Sequence, residues 1–251
     1  MNFEKPLAGR VTLVTGGGGG IGAGISNALA NAGATVIITY NRNVAKADAV
    51  VATLPGDGHW TVAMQIENSE RIAAVAAQVA ERHGRLDVLV NNAGMTRFVA
   101  LDDLDGLDDD LIDQIFRVNW RGAFACARAF RPLLLQGQQP IIINMSSVAA
   151  KLGTGSNIAY CASKAALDSM TVSLAKVLAP DVRVIALAPG LVDGDYARSF
   201  DPAWRQQQID ATPLKRLAEP EDVGAAVVGV VAYMPHSTGC IVPVDGGRPI
   251  S

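Results

Sequence analysis

The chain has 251 residues, 49% of them hydrophobic and 18% charged, with a net charge of −3. That is enough apolar material for one large core, and the slight acidity leaves no electrostatic footprint for nucleic acid or an anionic membrane. Three cysteines, Cys126, Cys161 and Cys240, are odd in number and far apart, which argues against a disulfide framework or a metal site and for a reducing compartment. The opening MNFEKPLAGR lacks the apolar stretch of a signal peptide, and no apolar run reaches membrane-spanning length. The expectation is a cytoplasmic protein with neither nucleic-acid nor membrane partners.

Along the chain, short runs rich in Val, Ile and Leu alternate with longer helical patterns. The first predicted strand, 11–15, meets the glycines from Gly16 to Gly20 and then a helix over 21–32. A strand at 35–39 is followed by a helix at 44–54, and a strand at 61–65 by a helix at 69–82. A strand at 86–91 precedes a long predicted helix, 107–135. Strands at 141–145 and 182–187 flank a helix at 158–178, and a helix at 221–233 leads to a last strand at 240–244. The strand runs are continuously apolar, as strands covered on both faces should be. The alternation predicts an α/β fold: a doubly wound, seven-stranded parallel sheet with helices on both faces. A single domain over 1–251 is expected. Its one long interruption, 190–220, reads as a substrate lid or binding loop. The lid carries Tyr196, Phe200 and Trp204, which either border a ligand or staple the loop to the body.

Two places bear on a ligand. Gly16, Gly20, Ile21 and Gly22 stand where a strand turns into a helix. Glycine permits close approach of a pyrophosphate there, and the helix N-terminus offers free N–H groups and partial positive charge. The second strand ends in Tyr40, Asn41 and Arg42. A site for NAD(H) usually has a carboxylate there to bond the ribose. None is present, and Arg42 offers a fork suited to a 2′-phosphate. NADP(H) is therefore the expected cofactor, with NAD(H) the alternative.

Chemistry is suggested by Tyr160 and Lys164, four residues apart and so on one helix face, with Ser147 thirteen residues upstream. A phenol ionises near ~10, and a cation close by lowers that value. Such a pair could exchange protons near neutrality, as carbonyl–alcohol interconversion requires. The same spacing also occurs as an exposed pair on a solvated helix face.

With these pieces the chain resembles the short-chain dehydrogenases/reductases, in their compact Rossmann-type single-domain branch, over nearly its whole length. Thr15-Gly16-x-x-x-Gly20-x-Gly22 resembles that family's cofactor turn. Asn91-Asn92-Ala93-Gly94 resembles its fourth-strand motif, near the adenosine ribose. Pro189-Gly190 matches the turn beside the nicotinamide, and Asp245-Gly246-Gly247 the C-terminal segment. The resemblance implies Asn119, Ser147, Tyr160 and Lys164 as the catalytic set. Tyr160 would be the general acid/base, Ser147 would stabilise the carbonyl oxygen, Lys164 would lower the Tyr160 pKa and bind the nicotinamide ribose, and Asn119 would anchor a relay water. It also implies cofactor contacts from Gln65 and Ile66 after the third strand, from Asn92, Ala93 and Gly94, and from Val192. Two positions depart from the family pattern: Gly194 replaces a usual Thr, and Gln65 a usual Asp.

The expected function is reversible, NADPH-dependent reduction of a ketone or other carbonyl compound to an alcohol. The alternatives are an NAD-dependent alcohol dehydrogenase, an enzyme like the pteridine reductases, and a non-catalytic dinucleotide-binding regulator. Tyr40-Asn41-Arg42 and the short Ala179–Arg183 connection resemble the pteridine-reductase branch, whereas Gly20 and Ser147 depart from it. The intact catalytic set speaks against a pure regulator. A 3-oxoacyl thioester, a cyclic ketone, a sugar and a pterin all remain open as substrate.

Of the remaining residues, His59, His83 and His236 are scattered, giving no metal site. Cys161 should point about 100° away from Tyr160. The aspartates from Asp102 to Asp110 suit a solvated loop and the start of the next helix. Arg97 and Phe98 border the pocket or lie in solvent. Ala165, Leu167, Met170, Leu174 and Val177 make the Tyr160 helix apolar on more than one side, which predicts a homo-oligomer, a dimer or tetramer.

Overall fold

The computed structural model describes residues 4–248; the first three and last three residues of the expected 1–251 domain, including the first three of MNFEKPLAGR, lie outside them. Strands β1 (Val11–Val14), β2 (Thr35–Tyr40), β3 (Trp60–Ala63), β4 (Val88–Asn91), β5 (Ile141–Met145), β6 (Arg183–Pro189) and β7 (Ile241–Val244) form one sheet. Its order is β3-β2-β1-β4-β5-β6-β7, and every neighbouring pair is parallel. This is the doubly wound, seven-stranded sheet that the apolar runs predict. The helices are α1 (Gly20–Asn31), α2 (Val44–Val51), α3 (Ser69–His83), α4 (Asp109–Phe116), α5 (Ala123–Leu134), α6 (Ala149–Leu152), α7 (Ile158–Leu178), α8 (Asp195–Arg198), α9 (Pro202–Asp210) and α10 (Pro220–Tyr233). None of the described helices is long and apolar enough to cross a membrane.

Alternate strand side chains face opposite sides of a sheet, so each strand feeds two cores. Leu13, Ile37, Leu89, Ile142 and Val184 pack with Ile72 and Val79 of α3 and Phe130 of α5. Val14, Ile38, Val90, Ile143 and Ile185 pack on the other face with Ile25 and Leu29 of α1 and Val223 and Val227 of α10. Burying each of these side chains stabilises the fold by about 1.5–3 kcal/mol. The two cores hold the sheet rigidly enough to fix where its strand ends point.

Three stretches differ from the sequence-based expectation. β3 stops at Ala63, so Met64 and Gln65 lie beyond it, although the Met64 N–H still donates to Tyr40 O at 2.8 Å. The expected helix 107–135 begins later, because Asp108 caps α4 by accepting from the Leu111 N–H at 2.8 Å. It is also interrupted by a π-helical turn, Arg117–Gly122, between α4 and α5. The stretch 190–220 is ordered: Val192 bridges to Ala218, and α8 and α9 fill the space between. Asp201 starts α9 by accepting from the Ala203 N–H at 2.8 Å, with Pro202 in the first turn.

β1 has β2 on one side and β4 on the other, so the chain winds outward in opposite directions from this point. Loops after neighbouring strands separate at such a switch point and leave a crevice at the carboxyl ends of the strands.

Candidate active site

That crevice is a cavity of about 1080 Å³. Gly16, Gly20, Ile21 and Gly22 line it from the first turn, Tyr40, Asn41 and Arg42 from the end of β2, and Ile66 from beyond β3. Asn92, Ala93 and Gly94 line it after β4, Ser147 after β5, Tyr160 and Lys164 from α7, and Pro189, Gly190 and Val192 after β6. The fold thus gathers the expected cofactor and catalytic residues into one space, except Gln65 and Asn119.

The glycine turn is shaped by close packing. Gly20 has φ +51°, a left-handed conformation that costs glycine little. A Cβ on Gly22 would overlap the Gly16 carbonyl oxygen and lie 2.8 Å from Asn92 Nδ2 and 2.9 Å from Gly17 Cα. Thr15 clips the turn to β4: its hydroxyl accepts from the Asn92 and Ala93 N–H groups, both at 2.9 Å, and Asn92 Nδ2 donates to Thr15 O at 2.9 Å. The N-terminus of α1 is held facing the cavity, a ready-made anion site. At the end of β2, Arg42 is exposed and lines the cavity, with no carboxylate in Tyr40-Asn41-Arg42.

Gln65 is placed differently from the expectation. It is exposed and outside the cavity lining, whereas Met64, Ile66 and Glu67 line it. The Asn68 N–H donates to Gln65 O at 3.0 Å, a turn that directs this residue outward.

Asn157 places the start of α7 and is a positioning residue that the motifs miss. Its Oδ1 accepts from the Tyr160 N–H at 2.7 Å, and its Nδ2 donates to Arg97 O at 2.7 Å. An Asn just before the first apolar residue of a helical pattern is the signal that would find it. One turn on, the buried Lys164 donates from Nζ to Met145 O at 2.7 Å. That nitrogen lies 5.7 Å from the centre of the Tyr160 ring.

The electrostatics correct one expectation. The Tyr160 phenol is raised, not lowered: burial pushes it up, a hydrogen bond with Ser147 pulls it back, and nearby Tyr196 and Cys161 add to the rise. The ammonium of Lys164 is turned to the Met145 carbonyl, and burial pushes Lys164 itself down to about 8, with Asp168 alone opposing. Asp168 lies one turn further along the same face of α7. Burial raises its carboxyl, while Ser146 and Lys164 pull it down.

Asn119 sits in the π-helical turn, 2% exposed. Its Oδ1 accepts from the Met95 N–H at 2.8 Å, and its Nδ2 donates to Met95 O and to Ser163 Oγ, each at 3.1 Å. Both amide donors are therefore spent on protein, and the side chain braces the segment after β4 against α7. π-Helical turns recur at functional sites, and this one lies directly behind the cavity wall.

The stretch after β6 covers the cavity. Asp193 anchors it, accepting from Arg198 Nε at 3.1 Å and from Arg205 Nη2 at 2.5 Å. Burial raises Asp193, but these two arginines together hold it below the usual carboxylate range. Phe98 lines the cavity opposite, whereas Arg97 turns away to Asp108 at 3.0 Å. Among the described residues, no group of three or more His, Cys, Asp or Glu is placed to hold a metal ion.

A family model described as short chain dehydrogenase matches residues 10–204. The chain belongs to the short-chain dehydrogenase family. It is an NAD(P)-dependent oxidoreductase of the class acting on CH–OH and C=O groups. Among its relatives in this family is versicolorin reductase 1 of Dothistroma septosporum, 36% identical over 264 residues that cover 98% of this chain and 97% of that protein. A putative ketoacyl reductase 2 of the granaticin polyketide synthase of Streptomyces violaceoruber is 35% identical, covering 97% of this chain and 96% of the relative. Among solved structures, the RhlG/NADP active-site complex of Pseudomonas aeruginosa superposes with a TM-score of 0.91 at 30% identity, covering 99% of both chains.

Proposed function

We propose that this chain is an NADPH-dependent reductase that converts a ketone to an alcohol, reversibly. The observation that carries this reading is one cavity lined both by Ser147, Tyr160 and Lys164 and by Gly20, Gly22 and Arg42. The relatives named as reductases and the solved neighbour bound to NADP support it. The nicotinamide, when bound, supplies the hydride. The raised Tyr160 phenol holds its proton through the neutral range and gives it to the carbonyl oxygen. Ser147 donates a hydrogen bond to the same oxygen as negative charge develops there. Lys164 holds the nicotinamide ribose. Asn119 keeps the segment after Gly94 and α7 in register. The N-terminus of α1 takes the pyrophosphate, and Arg42 the 2′-phosphate. Residues 190–220 act as the lid of a single catalytic domain. The exposed Val177 of α7 supports a homo-oligomer, and three free cysteines support a reducing, cytoplasmic setting.

The test is oxidation of NADPH by the purified protein with a panel of carbonyl compounds, where no turnover with any member rejects the reading. Arg42→Ala separates the cofactors. A charge-assisted hydrogen bond contributes about 1.5–3 kcal/mol, so the NADPH dissociation constant should rise about 10- to 100-fold. That for NADH should barely change. Equal effects in a binding titration refute the phosphate role of Arg42.

The pH dependence follows from Lys164. Its ammonium is present below about 8 and lost above it, so carbonyl reduction should hold at neutral pH and fall on the alkaline side. Asp168→Asn removes the group that raises Lys164, and the falling limb should move to lower pH. A pH–rate profile with an unmoved limb would show that Lys164 does not control it.

A further inference from the structure

We propose that the substrate is a planar, uncharged ring ketone held against an aromatic wall of Phe98, Tyr196, Phe200 and Trp204; this rests on the reductase reading. Phe200 is the hub of the wall. It meets Phe98 edge-on at 5.5 Å and Tyr196 edge-on at 5.1 Å, and it stacks on Trp204 at 4.5 Å. All four rings line the cavity that holds Ser147, Tyr160 and Lys164, in a chain with only 5% aromatic residues. The wall joins two distant segments: Phe98 follows β4, and the other three belong to α8, α9 and the link between them.

The wall is built but not covered. Phe98 is 54% exposed and Tyr196 42% exposed, although both lie against the site. Flat apolar surface of this kind is best covered by another flat apolar surface, which adds offset-stacked or edge-to-face attraction to area burial. Tyr196 also brings a polar end. Its hydroxyl lies on the side of Ser156 and near enough to Tyr160 to act on that phenol. A ring ketone reaching Tyr160 would therefore have a second phenol within reach of a ring substituent.

Charge selects against the main competitor, a thioester on a phosphorylated carrier such as coenzyme A. Just beyond Phe98, Asp102, Asp103, Asp105, Asp108, Asp109 and Asp110 are all exposed. The cations beside the wall are engaged: Arg198 and Arg205 with Asp193, Arg97 with Asp108, and the cavity-lining Arg248 with Gln208. A polyphosphate arm would compete with these existing partners for the cations, and the acidic segment 102–110 offers it none. An uncharged ring meets no such barrier.

The experiment compares three probes with NADPH: α-tetralone, methyl octyl ketone with the same number of carbons, and acetoacetyl-coenzyme A. α-Tetralone should have the highest kcat/KM, by about tenfold, the scale of one aromatic pair. Phe200→Leu should reduce the preference for α-tetralone over methyl octyl ketone by a similar factor. Phe98→Leu, at an exposed position, should act in the same direction if the first variant does not fold. A preference for acetoacetyl-coenzyme A or methyl octyl ketone, or variants that lower all three probes equally, overturns the inference. Calorimetric titration of the NADP-loaded protein with α-tetralone separates the two levels of the reading. Binding without turnover of any probe keeps the wall and removes the reductase assignment; neither binding nor turnover of α-tetralone overturns the wall as well.

Discussion

Tyr160→Phe is expected to lower carbonyl reduction by about a hundredfold to ten-thousandfold, the usual share of a positioned general acid, while NADPH still binds. The phenyl ring fills the same space, and Asn157 caps the backbone of α7 whatever the side chain at 160. What disappears is the hydroxyl beside Ser147 and, with it, the proton for the product alcohol. Ser147 cannot substitute, because a serine hydroxyl is far less acidic than a phenol. Lys164, donating to the Met145 carbonyl at 2.7 Å, is held away from the reacting oxygen. Single-turnover oxidation of NADPH with a saturating ketone reads the chemistry, and a fluorescence titration with NADPH reads binding. Turnover within a few-fold of the parent protein would place the proton donor elsewhere.

Gly22→Ala should remove dinucleotide binding and destabilise the fold together. The added methyl would overlap the Gly16 carbonyl and crowd Asn92 Nδ2 at 2.8 Å and Gly17 Cα at 2.9 Å. Two of those three groups are backbone, and Asn92 is already spent on Thr15 O and Gly16 O at 2.9 and 3.3 Å. Neither the turn nor the Thr15 clip can yield without opening the junction of β1 and β4. Overpacking of this kind costs about 1–3 kcal/mol, which a thermal melt would read as a drop of several degrees. The lost alignment of α1 with the pyrophosphate should be seen as NADPH binding too weak to titrate. Unchanged binding would show that the turn tolerates a wider backbone than its packing indicates.

Much of this was legible in the sequence, for local reasons. Short, continuous Val/Ile/Leu runs bounded by turn residues fit strands covered on both faces, so the sheet and the alternation of its elements followed. The glycines after β1 and the Tyr160–Lys164 spacing are short-range signals, and the fold brings both to one cavity. What failed to show depends on tertiary packing. Gln65 points away because β3 ends early and a turn closes on Asn68. The π-helical turn at Asn119 is fixed by the contacts of that side chain with Met95 and Ser163, which apolar periodicity does not encode. The direction of the Tyr160 shift is set by how many atoms bury the phenol, which no spacing encodes. α9 was missed because Trp204-Arg205-Gln206-Gln207-Gln208 has little apolar periodicity; only the Asp201-Pro202 start betrays it.

The stretch between β6 and α10 has a narrow root. Ala218 accepts from the Asp193 N–H at 2.8 Å and donates to Leu191 O at 3.2 Å, pinching together the two ends of everything between them. The residues proposed for proton transfer all lie outside that pinch, after β5 and on α7, while three of the four wall rings lie within it. The scaffold therefore separates what reacts from what is chosen. A different cassette between Asp193 and Ala218 would re-target the enzyme and leave its chemistry in place, a division of labour by which one sheet can serve many substrates.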